Sequence, residues 1–398
     1  MPIKNNNRLQ IGLAMSGHAV TDLYSSFIIG IIPILAIKFN LSLFLVGVLT
    51  AIAGISNSLT QPVFGYLSDK YSPKYFMVAG PLFSAVLISL MPIMPSYYLV
   101  VIILFLGNLS IAMIHPPAAA MGGRFGGRMK GLSNSLISFS GTVGYALGSM
   151  LIIVVIEKIG ISFSPLTMIP GIVMAIILFK YIDIPVKTAG TKSGHNFLTK
   201  LKKANKYKIM QLFLIFTASF ARDLIWILMI TFMPLYFTQS GVKLLNVGFI
   251  LILYNIIGGF GGILAGYLSD RMKGKSFLIQ GGLLLSIPFI FFMFKNPGII
   301  GIIFFIITGF FSIATLPPCI RISQEIFPGS MSFASSLVMG LSVGTGSIAM
   351  IFLGKAADKI GIVNTVYYAM IVIIAIVVLM SFYPIIAKKA SSPKIVLK

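Results

Sequence analysis

Asp22 lies inside an apolar run, residues 9–37, and His18 precedes it by four positions. On a helix that spacing puts both side chains on one face, one turn apart. A carboxylate beside an imidazole in a medium of low dielectric can handle a proton; the other reading is that the two satisfy each other between packed helices. Arg222 and Asp223 form a second charged group within the apolar run 209–237. Neighbours on a helix point about 100° apart, so this pair is not expected to neutralise itself side by side. One arrangement sends Asp223 into a cavity and Arg222 toward an acidic group or an anionic ligand, whose carboxylate or phosphonate suits a guanidinium fork. The other is a buried salt bridge between helices. Trp226, one turn from this pair, is the aromatic expected near a ligand, with plain packing as its alternative. His115 stands just before Pro116-Pro117; Arg321 follows Pro317-Pro318, and Glu325 lies one turn further on. A charge at the centre of hydrocarbon costs about 2.5–3.5 kcal/mol, so each of these residues is a candidate for coupling or binding.

The elements that must position them are long and apolar. The chain has 398 residues, 57% of them hydrophobic and only 10% charged, against about 25% charged in an ordinary soluble domain. Twelve spans are expected near 9–37, 44–67, 75–94, 97–121, 132–156, 163–183, 209–237, 244–268, 276–294, 298–322, 332–354 and 361–385, each close to the about 20 residues that cross a bilayer. The net charge of +22 is a matter of orientation here and implies no nucleic acid. Basic residues crowd alternate loops: Lys4 and Arg8; Lys70 and Lys74; Arg124, Arg128 and Lys130; Lys187 to Lys208; Arg271, Lys273 and Lys275; Lys388 to Lys398. The positive-inside rule then places both termini in the cytoplasm of a multi-pass inner-membrane protein. One cysteine, Cys319, allows no internal disulfide and no cysteine metal cluster; neither a metal nor a cofactor is expected.

The chain repeats itself. The interval of 201 residues that separates Asp22 from Asp223 also relates Pro33 to Pro234, Val46-Gly47 to Val247-Gly248, and Pro116-Pro117 to Pro317-Pro318. It carries Lys158-Ile159-Gly160 onto Lys359-Ile360-Gly361, and Gly65-Tyr66-Leu67-Ser68-Asp69 onto Gly266-Tyr267-Leu268-Ser269-Asp270. Aspartates and double prolines are rare in so apolar a chain, so the matches mark a duplication. Both Gly-Tyr-Leu-Ser-Asp copies sit in lysine-rich loops, so an even number of crossings separates them and the repeats are parallel. The expected organisation is a six-helix bundle over 1–184, a polar, lysine-rich cytoplasmic linker over 185–208 and a second bundle over 209–398. The double prolines read as hinges or gates, with passive kinks as the alternative. Gly141, Gly144 and Gly148, like Gly258-Gly259 and Gly261-Gly262, space small residues for close helix approach.

The loop from Gly65 to Lys74 (GYLSDKYSPK) resembles the signature between the second and third spans of the major facilitator superfamily, and Gly266 to Lys275 is its second copy. The resemblance implies an all-α membrane protein with the major facilitator fold, twelve transmembrane helices in two parallel six-helix repeats. It also implies a cytoplasmic gate at Gly65, Asp69, Lys70, Gly266, Asp270 and Arg271. A narrower resemblance is to the fosmidomycin-resistance family of exporters. It rests on Gly17-His18-Ala19-Val20-Thr21-Asp22, Ser58 to Pro62, His115-Pro116 and Gln324 to Gly329. Members of that family continue His-Pro with an acidic residue, where this chain has Pro117.

The expectation is a secondary transporter that works by alternating access, coupled to protons and exporting a small anionic or amphipathic compound, as in drug efflux and antibiotic resistance. Uptake of an organic anion or nutrient by a symporter is the alternative. The partners are a small solute, protons and the lipid bilayer, and a monomer suffices. No His-Glu-x-x-His pair, Gly-x-Ser-x-Gly elbow or P-loop points to an enzyme.

Overall fold

The structure is a computed structural model that describes residues 5–125, 130–183, 205–272, 274–326 and 337–391. The expected linker, 185–208, falls almost wholly outside them. Among the described residues every regular element is helical. The first half runs α1 (Asn5–Ser25), α2 (Phe27–Lys38), α3 (Leu43–Ser58), α4 (Gln61–Lys70), α5 (Pro73–Leu90), α6 (Tyr97–Phe125), α7 (Lys130–Lys158) and α8 (Ile169–Tyr181). The second runs α9 (Lys206–Gln239), α10 (Leu244–Arg271), α11 (Lys275–Lys295), α12 (Ile299–Ile313), α13 (Leu316–Ile326), α14 (Ser342–Met380) and α15 (Tyr383–Ser391).

Eleven helical stretches among the described residues are long and apolar enough to cross a membrane. The last, Val338–Ala390, has 53 residues, far beyond the length one crossing needs. It turns at Gly361, whose φ of 81° interrupts the helix, and so accommodates two crossings. The expected first span is two helices, α1 and α2, divided at Ser26, whose hydroxyl bonds back to the Leu23 carbonyl at 3.2 Å. The two double prolines behave differently. Pro116 and Pro117 lie within the continuous helix α6. Pro317 and Pro318 open α13 after a break at Ala314 and Thr315, at positions where a missing N–H leaves nothing unpaired.

The duplication is visible in the backbone itself. Four of the described residues with positive φ form two pairs at the repeat interval: Asn40 (48°) with Gly241 (85°), and Gly160 (111°) with Gly361 (81°). Gly65 sits against Pro116, where an added Cβ would lie 3.5 Å from the proline Cβ, and Gly266 sits against Pro317 at the same 3.5 Å.

Packing divides the chain into two compact units: 1–190 with 227–256 and 347–362, and 191–226 with 257–346 and 363–398. In the first unit α1 packs most extensively on α7. The α7 glycines make this contact close: a methyl at Gly144 would overlap the Ala19 carbonyl oxygen, and one at Gly148 the Leu23 carbonyl oxygen. Such close backbone approach is how helices associate where lipid offers no hydrophobic drive. Gly47 of α3 meets the Met350 carbonyl of α14, and its repeat mate Gly248 of α10 meets Met150 of α7. Both repeated glycines serve close packing, the first against a backbone carbonyl and the second against a methionine side chain. In the second unit Gly258 and Gly261 of α10 play this part against Gly309 and Phe310 of α12.

Candidate functional site

The first-unit cluster starts from α1. One helical turn separates His18 from Asp22, and His18 Nε2 lies 3.3 Å from Asp22 Oδ2. His115, from α6, joins them: its Nδ1 is 2.9 Å from His18 Nε2 and its Nε2 is 3.6 Å from Asp22 Oδ1. The two rings meet edge to face, centroids 5.0 Å apart. Side-chain exposures of 13%, 15% and 19% for His18, Asp22 and His115 leave the group partly open. A buried apolar cluster includes Leu13, Met77, Ile114, Ile137 and Leu178, with Ile114 next to His115 in the chain and the Ile137 carbonyl bonded to His18.

Hydrogen-bond logic fixes most of the protons. His18 Nδ1 is 2.8 Å from the Ile137 carbonyl oxygen, which can only accept, so Nδ1 carries a hydrogen. A neutral His18 therefore presents a lone pair at Nε2, and His115 Nδ1–H donates to it. That leaves a lone pair on His115 Nε2 facing the Asp22 carboxylate. The neutral rings thus leave one unsatisfied nitrogen lone pair, that of His115 Nε2, against an anion, and one further proton satisfies both. Gly141 of α7 makes the room: a methyl there would overlap Asp22 Oδ2 and stand 2.6 Å from His18 Cε1. Tyr145, one turn along α7, lies within electrostatic range of Asp22.

The second-unit charges are arranged otherwise, which corrects the expectation for neighbours on a helix. Arg222 and Asp223 do pair directly, Nη2 to Oδ1 at 2.7 Å, because the long arginine side chain reaches around the helix. Nor does Asp223 open to a cavity, being 0% exposed with Arg222 at 7%. Its other oxygen, Oδ2, accepts from Ser342 Oγ at 2.5 Å. The Arg222–Asp223 contact is poorly aligned: among the described residues neither Arg222 Nε nor Asp223 Oδ1 has a hydrogen-bond partner. Trp226 is partly exposed on the same helix, α9.

Arg321 and Glu325 stand apart from both groups. They pair with each other, Nε to Oε1 at 3.1 Å, and Lys275 Nζ lies 2.5 Å from the same oxygen. With side chains 51% and 45% exposed, Arg321 and Glu325 form a surface ion network. Of the expected gate, Arg271 is exposed and stacks over the Tyr267 ring at 4.2 Å. The side chains of Asp69, Lys70 and Asp270 lie outside the described residues. Asp358 is a capping position that the sequence does not mark. Its carboxylate accepts from the backbone N–H groups of Leu43 (2.6 Å) and Phe44 (2.9 Å), the first residues of α3. A helix start leaves such donors unsatisfied, but no sequence signal links positions so far apart. Ser342 was missed as well, although it lies one repeat interval from Gly141.

The chain matches the Major Facilitator Superfamily over residues 14–339. It is 23% identical over 357 residues to the Fosmidomycin resistance protein of Escherichia coli (strain K12), covering 88% of this chain and 87% of that protein. It is 25% identical over 358 residues to the uncharacterized MFS-type transporter YfnC of Bacillus subtilis (strain 168), covering 87% and 86%. The solved structure of a bacterial homolog to the human lysosomal transporter Spinster superposes with a TM-score of 0.79 over 98% of this chain and 99% of that one, at 13% identity. The agreement of family match, helical architecture and internal duplication leads to one conclusion: the chain is a multi-pass membrane transporter, not an enzyme, and belongs to the Major Facilitator Superfamily.

Proposed function

We propose that the protein is a proton-coupled exporter of a small anionic or amphipathic compound, working by alternating access from the inner membrane with both termini in the cytoplasm. The observation that carries this reading is the His18–Asp22–His115 cluster, which is one cation short of satisfaction. With both rings neutral its charge is −1. A single proton on His115 Nε2, or on Asp22 itself, completes a chain of hydrogen bonds from Asp22 through both rings to the Ile137 carbonyl, and the cluster becomes neutral. An ionised group at membrane depth is costly and a neutral one far less so. Loading and unloading of one proton therefore changes which surroundings the cluster tolerates, as a coupling site requires. Export, and an anionic cargo, are supported by the likeness to the Fosmidomycin resistance protein. The gate at the Gly-Tyr-Leu-Ser-Asp loops and the double-proline hinges belong to the same proposal.

The test is transport in proteoliposomes under imposed pH gradients of either sign, with the phosphonate fosmidomycin as first solute, followed by a growth screen across toxic compounds. The expected result is flux whose rate and direction follow the proton gradient in the wild type and which Asp22→Asn abolishes. Flux indifferent to the gradient overturns proton coupling. Solute accumulation on the side that marks uptake overturns export in favour of a symporter.

A further inference from the structure

We propose that the His18–Asp22–His115 cluster is also a divalent transition-metal site, and that an ion such as Zn2+ occupies it in place of the coupling proton. The three side chains bring one ligand atom each to within 4.8 Å of one another. A tetrahedral zinc ion, with Zn–N near 2.0–2.1 Å, holds its ligand atoms about 3.3 Å apart. His18 Nε2 and Asp22 Oδ2 are already at 3.3 Å. The nearer His115 nitrogen lies 2.9 Å from His18 Nε2 and the farther one 3.6 Å from Asp22 Oδ1, so the ring turns to bring Nδ1 into the coordination sphere.

Two further observations make this more than three residues in proximity. The Ile137 carbonyl holds the hydrogen of His18 on Nδ1 and so directs the Nε2 lone pair into the cluster. Ligating histidines are oriented in this way by an outer hydrogen bond on the second ring nitrogen. Partial exposure of all three side chains leaves a fourth position for water or a solute, as in zinc sites with three protein ligands. Two imidazoles and one carboxylate select zinc, nickel, cobalt or copper over magnesium and calcium, which prefer all-oxygen shells. The ion takes the lone pairs of His18 Nε2 and His115 Nδ1 and one oxygen of Asp22. His115 then binds through Nδ1 with its one hydrogen moved to Nε2, beside Asp22, so the ring has no place for a second hydrogen. Metal and coupling proton therefore exclude each other, and the metal arrests the transport cycle. The inhibition rests on the proton-coupled reading above; the binding does not.

The experiment uses the full chain purified without an affinity tag, in a His195→Ala background that leaves His18 and His115 as its histidines. Zn2+ binding is measured by titration calorimetry, and Co2+ binding by visible absorption, where tetrahedral coordination gives intense bands. The expected result is one ion per chain, with affinity reduced at least about tenfold, as for the loss of even an outer-shell partner, in Asp22→Asn and in His115→Gln. Zn2+ should raise the unfolding midpoint of the parent and not of either variant, which keeps the test informative if one variant folds poorly. No stoichiometric binding, or binding unchanged in both variants, overturns the site. Binding with transport that ignores the pH gradient leaves the metal site standing and removes the proton-coupled reading. Gradient-driven transport without metal binding does the reverse.

Discussion

Ser342 Oγ stands 2.5 Å from Asp223 Oδ2. One repeat interval earlier, Gly141 stands against Asp22, where even a methyl group would overlap the carboxylate. The same place in the two halves thus holds a hydroxyl that ties one aspartate down and an empty side chain that lets histidine approach the other. The remaining differences follow the same division. Ser219 and Leu316 occupy the positions that correspond to His18 and His115, and Arg222 the position that corresponds to Thr21. Duplication supplied two intramembrane aspartates. Divergence left one balanced by titratable rings and the other by a permanent cation.

Asp22→Asn is expected to leave the protein folded and to reduce proton-driven accumulation of solute to the level of protein-free vesicles. The amide keeps the shape of the carboxylate but neither accepts the proton nor carries the charge. Size-exclusion profile and unfolding midpoint check the fold, and the proteoliposome assay checks the coupling.

Gly141→Ala should displace Asp22 and His18, lowering stability by about 1–3 kcal/mol as overpacked sites do and impairing transport. Gly12→Ala in the same helix pair's α1, where an added Cβ meets nothing within 4 Å, is the control and should change stability by no more than about 1 kcal/mol. Unfolding midpoints of the two variants, measured side by side, decide the matter.

The Arg222–Asp223 pair predicts a non-additive cycle. Removing one member leaves a buried charge uncompensated, a loss of about 3–5 kcal/mol. The double variant Arg222→Leu/Asp223→Leu should be more stable than either single replacement. Ser342→Ala, which removes a hydrogen bond to a buried acid, should cost about 1–3 kcal/mol. Thermal unfolding of the four proteins measures the coupling.

Asp358→Ala removes the acceptor for two N–H groups at the start of α3. The expected loss is about 0.5–2 kcal/mol, the worth of a helix cap. Hydrogen exchange at Leu43 and Phe44 should accelerate while exchange in the centre of α3 stays unchanged.

Glu325→Gln should change stability by less than about 1 kcal/mol, as is usual for exposed ion pairs. It should leave transport intact, because Glu325 sits in the surface network with Lys275 and Arg321. A transport defect in this variant would return Glu325 to the functional group in which its sequence position first placed it.

Much of this was legible before any coordinates. Apolar runs of bilayer length set the spans, because in lipid a backbone must satisfy its own hydrogen bonds. The recurrence of Asp, Pro-Pro and Gly-Tyr-Leu-Ser-Asp at one interval set the duplication. The spacing of His18 and Asp22 set their pairing, since neighbours one turn apart on a helix are fixed by local geometry alone.

What the linear order left open are the contacts made between helices. That His115 on α6 completes the group on α1, that Gly141 on α7 gives it room, and that Asp358 on α14 caps α3 depend on how helices distant in sequence turn their faces to one another. The pairing of Arg222 with its own neighbour was misjudged for a related reason: helical angle fixes where a side chain begins, whereas a long flexible chain in a dry interior ends where its charge is best met. Periodicity along one helix is written in the chain; the partners of a buried charge are settled only when the helices pack.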